Sequence, residues 1–198
     1  MKIHAAKVDV SNELAIQKHL LTSSSQDPGS NFVHLLLDTF VLESSNGTHA
    51  CFVSEPMGPS VSGYLTAPFK YYDPLKPQTR RFPVARTKKF LKNVLSALHL
   101  LHGNNIVYRD LHPGNLLFSL GDLNATDPSK LEQNERNSHI DPVTRVDGKV
   151  DRWAPRYLVA PKPLSKQALP QNQQVIKLAD LGGGMFPSFR CPNVGEDV

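Results

Sequence analysis

Cysteine is nearly absent from this chain of 198 residues: Cys51 and Cys191 stand far apart, outside any CxxC or CxxH arrangement. A disulfide framework and a zinc site are therefore disfavoured, and a reducing, intracellular compartment (cytoplasm or nucleus) is expected. No run of 18 apolar residues occurs, and the opening "MKIHAAKVDV" lacks the apolar core of a signal peptide, so no membrane partner is expected. An internal repeat is also lacking, which sets aside solenoids and arrays.

What is present fits a soluble globular chain, with 39% apolar and 20% charged residues; 16 prolines point to long irregular stretches. The net charge of +4 is uneven. Residues 69–92 carry eight Lys or Arg against the single Asp73, so +7 falls there and −3 on everything else. A solvated helix face with its lead-in loop is favoured for this stretch over a nucleic-acid patch or an import signal, and no direct nucleic-acid partner is expected.

The first residues alternate as a short strand, with Met1, Ile3 and Ala5 on one face. A helix starts at Ser11, its apolar stripe including Leu14, Ala15 and Leu21, and "SSSQDPGSN" ends it. "FVHLLLDTFVLE" and "THACFVSE" read as strands joined by the hairpin signal "SSNG". "PMGPSVSGY" breaks the pattern. A long helix is expected from about Pro83 to His102, with Phe90, Leu91, Val94, Leu95, Leu98 and Leu101 on one buried face and Gly103 at its end. Short strands are expected near 106–108 and 115–119. Residues 121–173 form a polar, Pro-rich insert expected to be poorly ordered except where "DRWAPRYLV" docks through its aromatics. "QVIKLADLGGG" is a buried strand running into an aspartate and a glycine cluster.

Chemistry concentrates in "IVYRDLHPGNLLF", where Asp110 and Asn115 sit five apart across a Pro-Gly turn. Phosphoryl transfer needs a carboxylate at the nucleophile, metal ligands at the phosphates and a cation on the α/β-phosphates. The Asp110–Asn115 spacing is that of a protein-kinase catalytic loop. Asp180 follows an apolar strand, and Gly182 lets the backbone turn its carboxylate toward a cleft. Lys2 on a strand and Glu13 on the next helix complete an ion pair of the required kind. A surface turn, a solvated terminal lysine and a helix-start carboxylate favoured by the macrodipole are the plainer readings of the same residues. The "GGG" at 182–184 reads as a hinge rather than a phosphate cradle.

Taken together these segments resemble the eukaryotic-type protein kinases, and most nearly the fungal SR-protein kinases. The likeness rests on "MKIHAAKVDVSNELAIQKHL", "NGTHACFVSEPMGPSV", "IVYRDLHPGNLLF" and "RYLVAPKPL…VIKLADLGG". The resemblance implies an α+β, bilobal fold, truncated at both ends. A partial N-lobe would span 1–57, the start of the C-lobe 58–119, the insert 120–174, and the metal-binding strand with the start of an activation segment 175–198. It implies ATP and magnesium as cofactors. Asp110 would accept the substrate hydroxyl proton, Asn115 and Asp180 would hold magnesium, and Lys2, steadied by Glu13, would touch the phosphates. Ser54 would be the gatekeeper, the Glu55 carbonyl and Met57 N–H would meet the adenine edge, and Leu117 would floor the base. His112 stands where lysine is usual and Tyr108 where histidine is usual; a histidine at 112 still donates to a transferred phosphoryl group. Arg109 would bind a phosphorylated activation segment or simply brace the loop.

The implied activity is a serine/threonine protein kinase acting on Arg/Ser-rich splicing proteins. With no glycine-rich loop before Lys2 and no APE-type anchor, this stretch is expected to bind ATP weakly or not at all and to transfer phosphate poorly by itself. Two other readings stay open: a small-molecule phosphotransferase of the aminoglycoside or choline type, which shares the "DLHPGN" style, and a non-catalytic interaction module.

Overall fold

The computed structural model describes residues 1–23, 26–44, 47–66, 81–133, 140–149, 155–159, 164, 169 and 173–187. Its strands are β1 (Lys2–Ile3), β2 (Leu36–Ser44), β3 (Gly47–Ser54), β4 (Met57–Ser60), β5 (Leu116–Ser119), β6 (Ile140–Pro142), β7 (Tyr157–Val159) and β8 (Ile176–Leu178). Its α-helices are α1 (Ser11–Ser23), α2 (Val61–Thr66), α3 (Val84–Gly103) and α4 (Pro128–Leu131). The strands form three sheets, in the orders β1-β3-β2, β4-β5-β8 and β6-β7, every pair antiparallel. The class is α+β, as expected.

The 20-residue α3 is rich in Leu, Ala and Lys, all good helix formers. Pro83 caps it from just outside, and the Asn104 N–H closes the last turn onto the Leu100 and Leu101 carbonyls, 3.1 Å each. Its inner face carries Phe90, Val94, Ala97, Leu100 and Leu101. Leu91 and Leu95, expected on that face, are more than half exposed. They sit one position past Phe90 and Val94, and one residue turns a helix by about 100°, enough to carry them out of the stripe.

α1 corrects its expectation in a more useful way. Leu21 is exposed and Ala15 faces out; the inward residues are Glu13, Ile16, Gln17 and Leu20. Two polar side chains thus share the buried stripe with two aliphatics. β1 is shorter than expected, and it is His4, just past it, that points inward while Met1 and Ile3 lie exposed.

Two apolar clusters hold these parts. One joins Ile16 and Leu20 of α1 to Ala97, Leu100 and Leu101 of α3, with Val33, Ile106, Tyr108, Leu178 and Leu181. Fully burying a side chain such as Ile16 or Leu101 contributes about 1.5–3 kcal/mol, so this cluster fixes α1 against the strands that carry the polar residues below. The other gathers Val61, Phe90, Val94, Phe118 and Ile176. Against the first cluster packs a 3-10 turn at Pro28–Phe32, capped by the Asp27 carboxylate accepting from the Gly29 N–H at 2.7 Å. A Cβ on Gly29 would lie 2.8 Å from the Ser96 carbonyl oxygen, so only glycine lets this turn approach α3.

Other expectations meet differences. "PMGPSVSGY" does not simply break the chain; it forms β4, which pairs with β5, and then α2. The strand expected at 106–108 is a single antiparallel bridge, Val107 with Met185. The insert holds regular pieces, because Asp122 and Asp127 cap two short turns and β6 pairs with β7. Tyr157, expected to dock, is exposed; Trp153, Cys191 and most of the basic stretch before Arg81 lie outside the described residues. No helix among the described residues is long and apolar enough to cross a membrane.

Candidate active site

Three elements far apart in sequence meet at one ammonium group. The Lys2 Nζ donates to both carboxylate oxygens of Glu13 at 3.1 Å and to Asp180 Oδ1 at 3.1 Å, across 178 positions. The side chain of Glu13 is 9% exposed and that of Lys2 46%, so the pair runs from the protein interior to the cleft. Burial opposes charge on Lys2, but hydrogen bonds and Coulomb attraction from Asp180 and Glu13 outweigh it and raise the lysine above its ordinary value. Burial likewise pushes Asp180 up, and Lys2, the Gly182 N–H and His4 overcome it, holding the carboxyl below the ordinary range.

Asp180 follows β8 in a left-handed backbone conformation, φ 56° and ψ 80°, with its side chain accepting from the Gly182 N–H. Arg109, in the loop after α3, has φ 65°. Such angles are uncommon outside glycine, and both occur where the two loops face each other. Arg109 Nε donates to the Gly183 carbonyl at 2.9 Å and Nη1 to Met185 Sδ at 3.2 Å, which matches the bracing reading of this arginine. A Cβ on Gly183 would fall 3.1 Å from Asp110 Cβ, and one on Gly182 3.2 Å from Glu13 Oε2. The glycine cluster therefore serves close approach between loops.

The Asp110–Asn115 loop is built locally. Asn115 Nδ2 donates to Asp110 Oδ2 at 3.0 Å and to the Asp110 carbonyl at 3.2 Å. Pro113 starts a 3-10 turn, and His112 Nδ1 accepts from the Gly114 N–H at 3.0 Å. With Nδ1 so engaged, the proton of a neutral ring sits on Nε2, which lies 3.8 Å from Asp110 Oδ1. The loop is tied to the Asp180 segment by the Asn115 carbonyl, which accepts from the Ala179 N–H at 2.8 Å. The buried Tyr108 hydroxyl adds a second tie, donating to the Ala179 carbonyl at 2.6 Å. Burial, reinforced by the nearby Asp110 and Asp180 carboxylates, pushes this phenol up to about 12 although Asn115 pulls the other way, so Tyr108 acts as a fixed donor.

A cavity of about 210 Å³ opens between these groups, lined by Lys2, Glu13, Gln17, His34, Leu36, Phe52, Ser54, Leu117, Ala179 and Asp180. Five of the residues singled out from sequence, namely Lys2, Glu13, Ser54, Leu117 and Asp180, line it together. Asp110, His112 and Asn115 stand outside the lining, joined to it by the Ala179 N–H on the Asn115 carbonyl. Glu55 and Met57 do not line it. The Glu55 carbonyl accepts from His34 Nε2 at 2.9 Å, its carboxylate pairs with Lys177, and Met57 begins β4. Sequence reasoning missed Gln17 and His34. Gln17 Oε1 accepts from the Leu36 N–H at 3.0 Å, and its Nε2 donates to the His34 carbonyl at 3.5 Å. Its position four residues after Glu13, on the same helix face, was the available signal.

The donor set suits a hard cation. Among the described residues there is no cluster of three His, Cys, Asp or Glu able to cage a metal. A carboxylate at Asp180 and an amide at Asn115, in tied loops beside an open cleft, would be the oxygen donors for a magnesium ion whose shell phosphate oxygens and water complete. The hydrogen bonds from Lys2 and Gly182 to Asp180 both fall on Oδ1.

The site thus joins an Asp–Asn loop, an aspartate just past β8 and a Lys–Glu pair. The protein kinase domain family matches residues 31–168, and the chain belongs to that family. It is 30% identical over 111 residues to a serine/threonine protein kinase of Aspergillus fumigatus, covering 56% of this chain and 26% of that protein. It is 28% identical over 112 residues to SRSF protein kinase 3 of Mus musculus, covering 56% of this chain and 18% of that protein. The match thus spans about a quarter or less of these relatives' length. A crystal structure of a kinase domain aligns with TM-score 0.48 at 23% identity, covering 92% of this chain and 41% of that one.

Proposed function

We infer that this chain binds magnesium–ATP in the 210 Å³ cavity and serves transfer of the γ-phosphoryl group to a serine or threonine hydroxyl. The observation that carries the reading is the Lys2–Glu13–Asp180 cluster, three groups from separate elements converging within 3.1 Å at the wall of one cavity. What the bound nucleotide and cation supply is an electrophilic γ-phosphoryl group with part of its charge neutralised. Lys2, held by Glu13, donates to the α/β-phosphates. Asp180 and Asn115 offer the oxygens for magnesium. Asp110 accepts a hydrogen bond from the acceptor hydroxyl and takes its proton, and His112 stands beside it to donate to the transferred group. Leu117 floors the base and Ser54 keeps the gate. The Glu55 carbonyl and Met57 N–H, just outside the cavity lining, would meet the adenine edge, and the Glu55 oxygen would serve both the base and His34, since a carbonyl has two lone pairs.

Membership of the protein kinase family favours a protein hydroxyl over an aminoglycoside or choline. The likeness to SRSF protein kinase 3 supports an Arg/Ser-rich splicing protein as the acceptor. The test has two arms. In thermal melts, magnesium–ATP raises the midpoint of the purified chain but not of Asp180→Asn; a ligand at about 100-fold above its Kd contributes about 2.7 kcal/mol. In transfer assays, an Arg/Ser peptide gains phosphate faster than an Ala/Ser peptide, and Asp110→Asn loses the incorporation. An equal melt with and without nucleotide overturns the reading in favour of an interaction module.

A further inference from the structure

Among the described residues, buried side-chain nitrogens without a hydrogen-bond partner occur at His4 Nε2 and Arg86 Nε. Arg86 has compensation: its guanidinium lies 4.9–5.8 Å from the ring centres of Phe82, Phe90, Tyr64 and Phe118. His4 has none of that kind. Its side chain is 8% exposed, and the residue is pinned through its backbone. The His4 N–H donates to the Ala50 carbonyl at 2.9 Å, and the His4 carbonyl accepts from His49 Nδ1 at 2.9 Å. The ring meets Phe52 edge-on at 4.7 Å, which aims Nε2 at α1. There it stops 3.9 Å from Glu13 Oε2, too far for a hydrogen bond and close enough for strong attraction once the ring is charged. Glu13 therefore lies between two basic groups, with both oxygens on Lys2 and one of them also facing His4.

We propose that His4 is a positioning residue that sets the Lys2–Glu13 pair through Glu13. With the ring neutral, Lys2 keeps both carboxylate oxygens. A proton taken from solvent onto Nε2 draws Oε2 toward His4, and Lys2, left with one oxygen, leans to Asp180 Oδ1. The phosphate clamp is then tight while the ring is neutral and loose once it carries a proton. The charged groups around the ring are the carboxylates of Glu13 from α1 and Asp180 beyond β8 and the ammonium of Lys2 on its own strand, with the His49 ring of β3 bonded to the His4 carbonyl. The proposal rests on the nucleotide-binding reading, and its test separates the two.

Glutamate carboxyl carbons labelled with 13C in the full chain report the Glu13 environment without nucleotide, Glu13→Gln identifying the signal. The expected result is a sigmoidal shift of that carbon between about pH 5 and pH 8 in the native chain, absent from His4→Phe and His4→Gln. His4→Gln keeps an N–H donor for Glu13 and guards against a variant that fails to fold. Magnesium–ATP binding should then weaken about tenfold from the upper to the lower end of that window relative to His4→Gln, whose profile carries the nucleotide's own titration. A Glu13 signal that stays flat, or that titrates alike in His4→Gln, overturns the proposal, as does an affinity ratio independent of pH. Absence of nucleotide binding at every pH sinks the kinase reading alone, and the carboxyl titration still decides the coupling of His4 to Glu13.

Discussion

The two sides of the cleft are built on opposite plans. On one side, Asp110, His112 and Asn115 belong to a single loop in which Asn115 bonds to Asp110 and to the His112 carbonyl, and the Asp110 and His112 side chains are about half exposed. On the other, Lys2, Glu13 and Asp180 come from β1, α1 and the turn after β8, and they meet only because an apolar cluster of α1, α3 and β8 brings them there. The first arrangement survives local insult and fails chemically. The second couples chemistry to folding, because each member is a partner that the others lose when it is removed.

The sharpest way to break the contrast is Asp110→Asn. It should reduce phosphate transfer by about 10²–10⁴-fold, the usual worth of a positioned base, while the melting temperature stays within error of the native chain. A large melting shift would show that the loop is structural after all. Glu13→Ala is the opposite case. Removing a buried partner leaves Lys2 with Asp180 alone, and about 1–3 kcal/mol of stability should be lost together with nucleotide affinity, read by urea unfolding and by titration with ATP. Tyr108→Phe tests the tie between the two sides. It leaves the Ala179 carbonyl without its donor inside the core and should cost about 1 kcal/mol, with ATP affinity falling more than the rate at saturating ATP.

The smallest effect is the pH dependence of the cluster. Asp180 is held below its unfolded carboxylate value, so its contribution is present above that value and fades as pH falls through the lower folded one. Lys2 is held above its unfolded value, so its contribution is present at lower pH and fades as pH rises through the folded one. Because both groups are nearly half exposed, the amplitude is that of a solvent-screened pair, about 1 kcal/mol or less. Urea midpoints of Asp180→Asn should accordingly show a shallower decline in acid than the native chain, and parallel declines would remove Asp180 from the network.

Legibility follows the same divide. The Asp110–Asn115 pair could be read from its spacing because a tight turn fixes both side chains within a few residues. The β2–β3 hairpin and α3 could be read for the same reason, their periods being local properties of the chain. What went astray on α1 was the identity of the inward face: apolar content pointed to Leu14, Ala15 and Leu21, whereas the fold turns Glu13 and Gln17 inward beside Ile16 and Leu20. Hydrophobic patterning assumes that buried means apolar, and a site that needs a desolvated carboxylate violates that rule. The same assumption hid His4, and it placed Leu91 and Leu95 in a core they do not reach.

By itself, then, the order of residues determined which chemical groups are present, the local turns that hold Asp110 near Asn115, and the apolar strand that ends at Asp180, since these depend on neighbours in the chain. Tertiary structure alone decided that Lys2 lies 3.1 Å from both Glu13 and Asp180, that His34 donates to the Glu55 carbonyl, and that His4 faces Glu13 from inside. Those contacts join residues 9 to 178 positions apart, and no local rule carries that far; they are set by which faces of α1, α3 and β8 exclude water together.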